Sequence, residues 1–304
     1  MLNQIKIGKS AVETTTLGLG TNKVGGHNLF EGLEDQDGYE VVRTALDSNI
    51  KLLDTAYAYG YGRSEEIIGD VIKDYDRSNI TIATKAAQDV NLDYKPNNNP
   101  EFLTQQIDHA LKRLKTDYID IFYIHFPDET TNKAEAIEAL VKARDAGKIK
   151  AIGVSNFSLE QIKEANADDV IDVVEDHYSL VHRDAEKELI PYLNEHNITF
   201  VPYFPLASGI LTGKYAKTDS GKFNQDSQAE FDQIIDAVEK VRGIAESKDA
   251  TVAQVVLAWY LKNPNLGVVI PGARKAEQVK SNVKATAIEL SDQEYHQIDA
   301  WFKF

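Results

Sequence analysis

The chain contains no cysteine among its 304 residues. Without thiols it can form neither disulfides nor thiolate-bound iron–sulfur clusters, and a cysteine nucleophile is excluded. It also lacks an apolar run of about 18 residues, the length that indicates a transmembrane helix. The first ten residues alternate charged and apolar side chains, unlike the apolar core of a signal peptide. These absences predict a cytoplasmic protein.

Positive charge is scarce, because 33 lysines and arginines face 48 aspartates and glutamates, a net charge of −15. Such a surface repels phosphate backbones and anionic lipid, so we expect neither nucleic acid nor a membrane as partner. The same charge opposes nonspecific association, and we expect a monomer or a weak homo-oligomer. A polyanionic cofactor would have to be held by a few local cations and helix N-termini.

Short apolar segments alternate with helical patterns almost to the end of the chain. Several are rich in β-branched residues without polar alternation, which suits strands buried on both faces of a parallel sheet. Eight such units favour a closed (β/α)8 TIM barrel of the α/β class over an open sheet, and this fold spans the whole length as one domain, residues 1–304. The predicted strands are residues 15–18, 50–53, 80–83, 119–124, 150–154, 172–174, 199–201 and 268–270.

Local signals place the other elements. Asn99 and Pro100 are typical of a helix start, as an N-cap and a first helical residue. Residues 2–12 suggest an N-terminal β-hairpin closing the barrel bottom, residues 292–304 an extra C-terminal helix, and residues 209–228 a long binding loop. Three capping boxes are predicted, at Ser158–Gln161, Thr251–Gln254 and Ser291–Glu294.

Four polar residues follow three consecutive predicted strands: Asp54, Tyr59, Lys85 and His125. In a barrel of this type the C-terminal strand ends form the active site. A free tyrosine has a pKa of about 10, and a nearby ammonium group lowers it. The aspartate would keep the lysine charged, and the histidine would hydrogen-bond a substrate carbonyl. Taken singly, each residue is an ordinary turn, surface or core side chain; together they indicate acid–base chemistry.

A metal centre is not expected. The sequence has no HExxH-type spacing, and His177 and His182 are five positions apart, which does not place two ligands on one helical face.

Residues 54–60 and 64–65, DTAYAYG and SE, resemble the DTAxxYG…SE signature of aldo-keto reductases. Lys85 and His125 match the other two catalytic positions, and the resemblance runs from Leu17 to Gly272. It implies a (β/α)8 barrel in which a nicotinamide delivers hydride to a carbonyl carbon and Tyr59 protonates the oxygen. Lys85 and Asp54 would tune the tyrosine, and His125 would orient the carbonyl.

The resemblance also implies a cofactor site. Ser155, Asn156 and Glu175 would lie at the nicotinamide carboxamide, and Tyr203 would stack on the ring. Arg274 could fork onto a 2′-phosphate, so NADPH is the expected cofactor and NADH the alternative. The remaining predicted cofactor-binding residues are Gly20, Thr21 and Asn22 at the first strand, Leu206, Ser208, Gly209, Leu211, Gly213 and Lys214 near the pyrophosphate, and Gly272, Gln278 and Asn282 at the adenosine end.

Two positions depart from the commonest pattern of the family. Glu175 stands where glutamine often binds the carboxamide, and a carboxylate cannot donate a hydrogen bond unless it is protonated. We expect it to perturb nicotinamide affinity or to pair with another group. Asn22 stands where many members carry a tryptophan against the substrate, which argues against an apolar pocket on that side.

The leading interpretation is an NADPH-dependent reductase of a small aldehyde or ketone. An alternative is a cofactor-sensing binding subunit, since the β subunits of voltage-gated potassium channels look like aldo-keto reductases; the short N-terminus favours the enzyme. A third alternative is a phosphate-binding isomerase or aldolase that uses Lys85. The DTAxxYG loop and the pair Ser155–Asn156 argue against it.

Overall fold

The computed structural model describes residues 2–223 and 227–304. Its strands, numbered along the chain, are β1 (Gln4–Lys6), β2 (Glu13–Thr15), β3 (Leu19–Gly20), β4 (Leu52–Asp54), β5 (Thr81–Ala86), β6 (Gln88–Asp89), β7 (Lys95–Pro96), β8 (Ile119–Ile124), β9 (Ile149–Ser155), β10 (Val173–His177) and β11 (Thr199–Tyr203).

The helices alternate with these strands. They are α1 (Asp35–Asp47), α2 (Arg63–Val71), α3 (Pro100–Leu114), α4 (Lys133–Asp145), α5 (Leu159–Ala165), α6 (Leu189–Glu195), α7 (Gln228–Ser247), α8 (Val252–Lys262), α9 (Ala276–Lys284) and α10 (Asp292–Trp301). Short 3-10 helices lie at Ile72–Asp74, Arg77–Asn79, Val90–Leu92, Asp184–Glu186, Ala207–Thr212, Lys217–Lys222 and Ala285–Ala287.

The predicted barrel is confirmed. Seven parallel strands hydrogen-bond in the order β3, β4, β5, β8, β9, β10, β11. Residues 267–272 bridge the two ends: the Gly267 N–H donates to the Phe200 carbonyl at 2.8 Å, and the Gly18 N–H donates to the Val269 carbonyl at 2.9 Å. The predicted eighth strand therefore closes the ring through backbone bonds and isolated bridges rather than as a regular strand.

The prediction for the first barrel strand is confirmed in part. Of residues 15–18, Leu17 forms a parallel bridge with Val269 in the barrel, whereas Thr15 pairs with Gln4 in the N-terminal hairpin, and the regular strand β3 begins at Leu19. The hairpin itself is confirmed and extends to Thr15 rather than ending at Val12. The second strand of the hairpin, β2, contains two threonines and no large apolar residue. The apolar pattern of the sequence therefore does not show where the hairpin ends and the barrel begins.

The helix-start signals hold. The Asn99 side chain accepts from the Glu101 N–H at 2.9 Å, with Pro100 as the first residue of α3, and all three capping boxes form. The extra C-terminal helix is α10. The predicted long loop, residues 209–228, contains the end of the 3-10 helix Ala207–Thr212 and all of the 3-10 helix Lys217–Lys222, and its last residue already begins α7. Residues 224–226 lie outside the described residues.

Two apolar clusters build the core. The larger lies between the barrel and the helices. The smaller fills the barrel interior with inward side chains from the strands, and Ile7 and Val12 of the N-terminal segment join it from below. Because the interior is filled, functional groups are left to the opposite end, where the strands terminate. None of the helices in residues 2–223 and 227–304 combines the length and apolar character that a membrane crossing demands.

Candidate active site

The four predicted catalytic residues meet at the C-terminal end of the barrel. Asp54 ends β4, Lys85 lies near the end of β5, and His125 directly follows β8. The Lys85 Nζ donates to Asp54 Oδ1 at 2.6 Å and lies 5.6 Å from the centre of the Tyr59 ring. The Tyr59 and His125 rings are perpendicular, with centroids 6.2 Å apart. The Tyr59 ring, the Lys85 ammonium group and the His125 imidazole thus surround one small space.

Glycines shape the loop that carries Tyr59. Gly60 has a φ of +68°, and a Cβ there would lie 2.0 Å from the Gly25 carbonyl oxygen. Gly62 has a φ of +97° and lies against the Arg113 side chain, whose Cδ would be 2.5 Å from an added Cβ. Only glycine fits this backbone and these close approaches, so the loop holds Tyr59 in one position.

Glu65, the glutamate of the SE motif, links the loop that carries Tyr59 to the strand that carries Lys85. Glu65 is fully buried; its Oε1 accepts from the Thr84 hydroxyl at 2.7 Å and its Oε2 from Arg113 Nε at 2.6 Å. Burial raises the pKa of Glu65, and Arg113 opposes that rise. Thr84 immediately precedes Lys85, so the buried ion pair links the tyrosine loop to the lysine strand.

Glu175 lies beside the lysine. It points from β10 into the barrel end, and its Oε1 is 3.2 Å from Lys85 Nζ. Lys85 is therefore held between two buried carboxyl groups, those of Asp54 and Glu175. Of the two outcomes expected from the sequence, pairing with another group is the one observed.

Burial dominates the protonation of the site. It raises the pKa of Tyr59 well above its usual value, although Lys85 acts in the opposite direction. The lysine effect was expected from the sequence, and the larger effect of burial was not. Burial, aided by Lys85, lowers the pKa of His125 far below its usual value, and its Nδ1 is buried without a hydrogen-bond partner. Tyrosine and histidine are both neutral at pH 7.

The predicted nicotinamide residues lie next to His125. Asn156, with a φ of +60°, follows Ser155 at the end of β9, and its Nδ2 donates to the His125 carbonyl at 3.0 Å. The Tyr203 hydroxyl donates to Asn156 Oδ1 at 2.7 Å. The Tyr203 ring is parallel to His177, with centroids 5.4 Å apart. His177 was not predicted as a site residue, although it ends β10 as Tyr203 ends β11.

Three cations gather along the predicted phosphate track. Burial lowers the pKa of Lys23, and Arg274 and Lys214 lower it further, so both of these cations lie within electrostatic range of Lys23. They come from the segment after β3, the loop after β11 and the segment before α9. Arg274 also donates to the Glu31 carbonyl, and its Nε is buried without a partner. In a protein of charge −15, this cluster fits a polyphosphate.

Lys23 was not predicted from the sequence as a cofactor-binding residue. It lies two positions after Thr21, and the scarcity of cations in the chain was the signal that could have identified it. Its significance comes from neighbours that are distant in sequence. Lys214 covers Gly209, where an added Cβ would lie 3.5 Å from the lysine Nζ.

Several predicted cofactor residues have structural roles. The Thr21 hydroxyl donates to the Asp54 carbonyl at 2.8 Å. Gln278 Oε1 caps α9 by accepting from the Lys275 N–H at 3.1 Å, and it also accepts from the Arg274 N–H at 2.7 Å. The N–H groups of Gly209 and Leu211 donate to the Leu206 carbonyl. These groups are therefore committed within the protein and shape the site rather than offering free donors.

The other predicted positions lie around the same track. Gly20 and Gly272 form a backbone bridge where the barrel closes, and a Cβ on Gly272 would lie 3.2 Å from Asn22 Oδ1. Ser208 and Gly213 have positive φ in the loop after β11, and Asn282 lies on α9.

Histidines and carboxylates do not form a metal site in the part of the chain that the structure describes, where no group of three or more could hold an ion. His177 and His182 do come together, as parallel rings with centroids 3.9 Å apart, but they stack rather than converge on a common point.

Comparison with known proteins identifies the family. A profile of the Aldo/keto reductase family matches residues 16–302. The chain belongs to the aldo-keto reductase family. It is 34% identical to the aldo-keto reductase YhdN of Bacillus subtilis, over 96% of this chain and 91% of that protein. It is thus an oxidoreductase of this family.

Other relatives differ in described role. The NADH-specific methylglyoxal reductase of Escherichia coli is 31% identical, over 96% of this chain and 95% of that protein. A probable voltage-gated potassium channel β subunit of Arabidopsis thaliana is 32% identical, over 93% and 90%.

Solved structures share the fold. A glycerol dehydrogenase from Gluconobacter oxydans superposes with a TM-score of 0.85 at 29% identity, over 98% of this chain and 94% of that one. An aldo-keto reductase from Klebsiella pneumoniae in complex with NADPH gives 0.79 at 25% identity, over 99% and 95%.

Proposed function

We propose that this aldo-keto reductase uses NADPH to reduce a small aldehyde or ketone to the alcohol, with Tyr59 as the proton donor. The observation that carries the proposal is the meeting of Asp54, Tyr59, Lys85 and His125 at one barrel end. A cytoplasmic location and a monomeric or weakly oligomeric state remain predictions from the sequence.

When bound, the reduced nicotinamide supplies a hydride to the carbonyl carbon. Tyr59 donates its hydroxyl proton to the carbonyl oxygen as negative charge develops there. The neutral His125 hydrogen-bonds and orients that oxygen. The Lys85 ammonium, anchored by Asp54, stabilises the phenolate that remains on Tyr59.

The chain's own residues also support the cofactor assignment. Asn156 and Tyr203 would hold the nicotinamide end beside His125. Lys23 and Lys214 would neutralise the pyrophosphate, and Arg274 would bind the 2′-phosphate. The similarity to a reductase solved with NADPH supports this cofactor, and the similarity to an NADH-specific reductase keeps NADH as the alternative.

The test is a kinetic one. We expect the purified protein to oxidise NADPH, followed by absorbance, with methylglyoxal or with a member of a panel of simple aliphatic and aromatic aldehydes and ketones. Tyr59→Phe should lower kcat by about 100- to 10,000-fold, the usual contribution of a general acid, while NADPH binding persists. Tyr57→Phe is the matched control, because its ring keeps its contact with Arg113. Unchanged turnover in Tyr59→Phe would exclude it as the proton donor.

Similarity to potassium channel β subunits favours one second candidate, a cofactor-sensing subunit with little turnover. This function predicts tight NADPH binding, measured by fluorescence quenching, without turnover of any carbonyl in the panel. Turnover at ordinary enzymatic rates would exclude it.

A further inference from the structure

Lys85 lies beside two carboxyl groups, although one carboxylate would be enough to balance its charge. Its Nζ is 2.6 Å from Asp54 Oδ1 and 3.2 Å from Glu175 Oε1. Both carboxyl groups are buried, with residues 2% exposed in each case. Their second oxygens, Asp54 Oδ2 and Glu175 Oε2, are buried and lack a hydrogen-bond donor.

Two ionised carboxylates and one ammonium would leave a net charge of −1 in this buried space. Burying such a charge away from water is unfavourable, and protonation of one of the two carboxylates removes it. The two carboxyl groups are also close enough for each to influence the pKa of the other. Two acceptor oxygens make a favourable contact only when one of them carries a proton.

The other groups that face the pair do not supply the missing positive charge. Tyr59 and Tyr123 flank Lys85, whose Nζ lies 5.6 and 5.5 Å from their ring centres. Burial raises the pKa of both tyrosines and lowers that of His125, so all three are neutral at pH 7. Lys85 is the one cation among the described groups around the pair.

We infer that Asp54 and Glu175 share one proton, so that Lys85 faces a carboxylic acid–carboxylate pair of net charge −1 rather than a single aspartate. The proton lies between the two carboxyl groups and comes from solvent as the site folds. Burial raises the pKa of Glu175 well above its usual value, and the neighbouring Asp54 raises it further, which agrees with a proton retained at pH 7.

The pair gives Glu175 a positioning role toward the reaction, and in this respect the inference rests on the proposed function. With one proton held, the lysine and the pair sum to zero, and Tyr59 faces a balanced environment. Loss of that proton would place an extra negative charge beside Tyr59 and oppose formation of the phenolate during proton donation.

Infrared spectroscopy of the cofactor-free protein at neutral pH tests the pair directly. The carbonyl stretch of a protonated carboxylic acid is separate from the carboxylate bands. We expect the wild-type spectrum to contain this band, and we expect both Glu175→Gln and Asp54→Asn to lose it. In either variant the remaining carboxylate has Lys85 to itself and ionises. Asp176→Asn is the control, because Asp176 is the next residue of β10 and burial raises its pKa as well, but no second carboxyl group contributes to that rise.

Each outcome decides the question. Absence of the band in the wild type overturns the inference. So does its survival in Asp54→Asn or in Glu175→Gln, since burial alone would then protonate the remaining group. Its loss in Asp176→Asn would assign it elsewhere. If Asp54→Asn does not fold, by circular dichroism, the wild type and the isosteric Glu175→Gln keep the inference falsifiable. Failure to bind NADPH would count against the proposed function alone, because the band is recorded without cofactor.

Discussion

Replacing Lys23 by methionine should change cofactor affinity and the stability of the cofactor-free protein in opposite directions. Lys23 is one of three cations that face the proposed phosphate track. A hydrogen bond to a charged partner contributes about 1.5–3 kcal/mol. Loss of one such contact should therefore raise the Kd for NADPH by about 10- to 100-fold. Because the proposed contact is to the pyrophosphate, the Kd for NADH should rise by a similar factor.

The same substitution should stabilise the cofactor-free protein, although it weakens NADPH binding. Burial and two neighbouring cations lower the pKa of Lys23 in the folded state. Between this lowered pKa and the ordinary lysine value the unfolded chain binds more protons, so stability rises with pH across that interval. At a pH below both values the unfavourable charge is fully present. A neutral methionine removes it, and the melting temperature without cofactor should rise.

Thermal melts with and without NADPH, together with a fluorescence titration of NADPH, measure both effects. Lys284→Met is a matched control at an exposed position of α9 and should leave both quantities nearly unchanged. A Lys23→Met variant that melts lower without cofactor and binds NADPH normally would show that Lys23 is structural, and the reasoning about the cation cluster would be wrong.

Other substitutions test separate contacts. Arg113→Ala should lower the free energy of unfolding, measured in urea, by about 3–5 kcal/mol, because it leaves the buried Glu65 carboxylate unpaired. Arg43→Ala, which breaks an exposed ion pair, should lower it by less than about 1 kcal/mol. Equal losses of stability in the two variants would contradict this expectation. Gly60→Ala should lower kcat, because the added Cβ would displace the loop that carries Tyr59. The control Gly243→Ala, in open space on α7, should instead raise the free energy of unfolding by about 0.5–1 kcal/mol. A fully active Gly60→Ala variant would show that the added Cβ does not displace the loop. Arg274→Ala should raise the KM for NADPH more than that for NADH, and unchanged constants would remove its assignment to the 2′-phosphate.

The sequence predicted the barrel and the positions of the four central residues because both depend on local signals. Strand ends and a glycine-bearing loop identify Asp54, Tyr59 and Lys85 without long-range information. The boundary between the N-terminal hairpin and the first barrel strand depends on the pairing of Thr15 with Gln4, which the apolar pattern does not specify. Lys23 was missed for a related reason: its chemistry depends on two cations that only the fold brings near it.

The protonation of the site shows the same division between local and tertiary effects. The sequence identified a lysine beside a tyrosine and inferred a lowered pKa, but burial is the larger influence and reverses the net direction for Tyr59. This reversal suits a proton donor, because a neutral phenol at pH 7 carries the proton that reduction consumes. The same burial keeps His125 neutral, so it can orient a carbonyl without adding charge. Formal charge in the site is then confined to Lys85 and the carboxyl groups beside it. Reduction at neutral pH thus needs no prior ionisation of Tyr59, whereas the reverse oxidation needs its phenolate and should be favoured by alkaline pH.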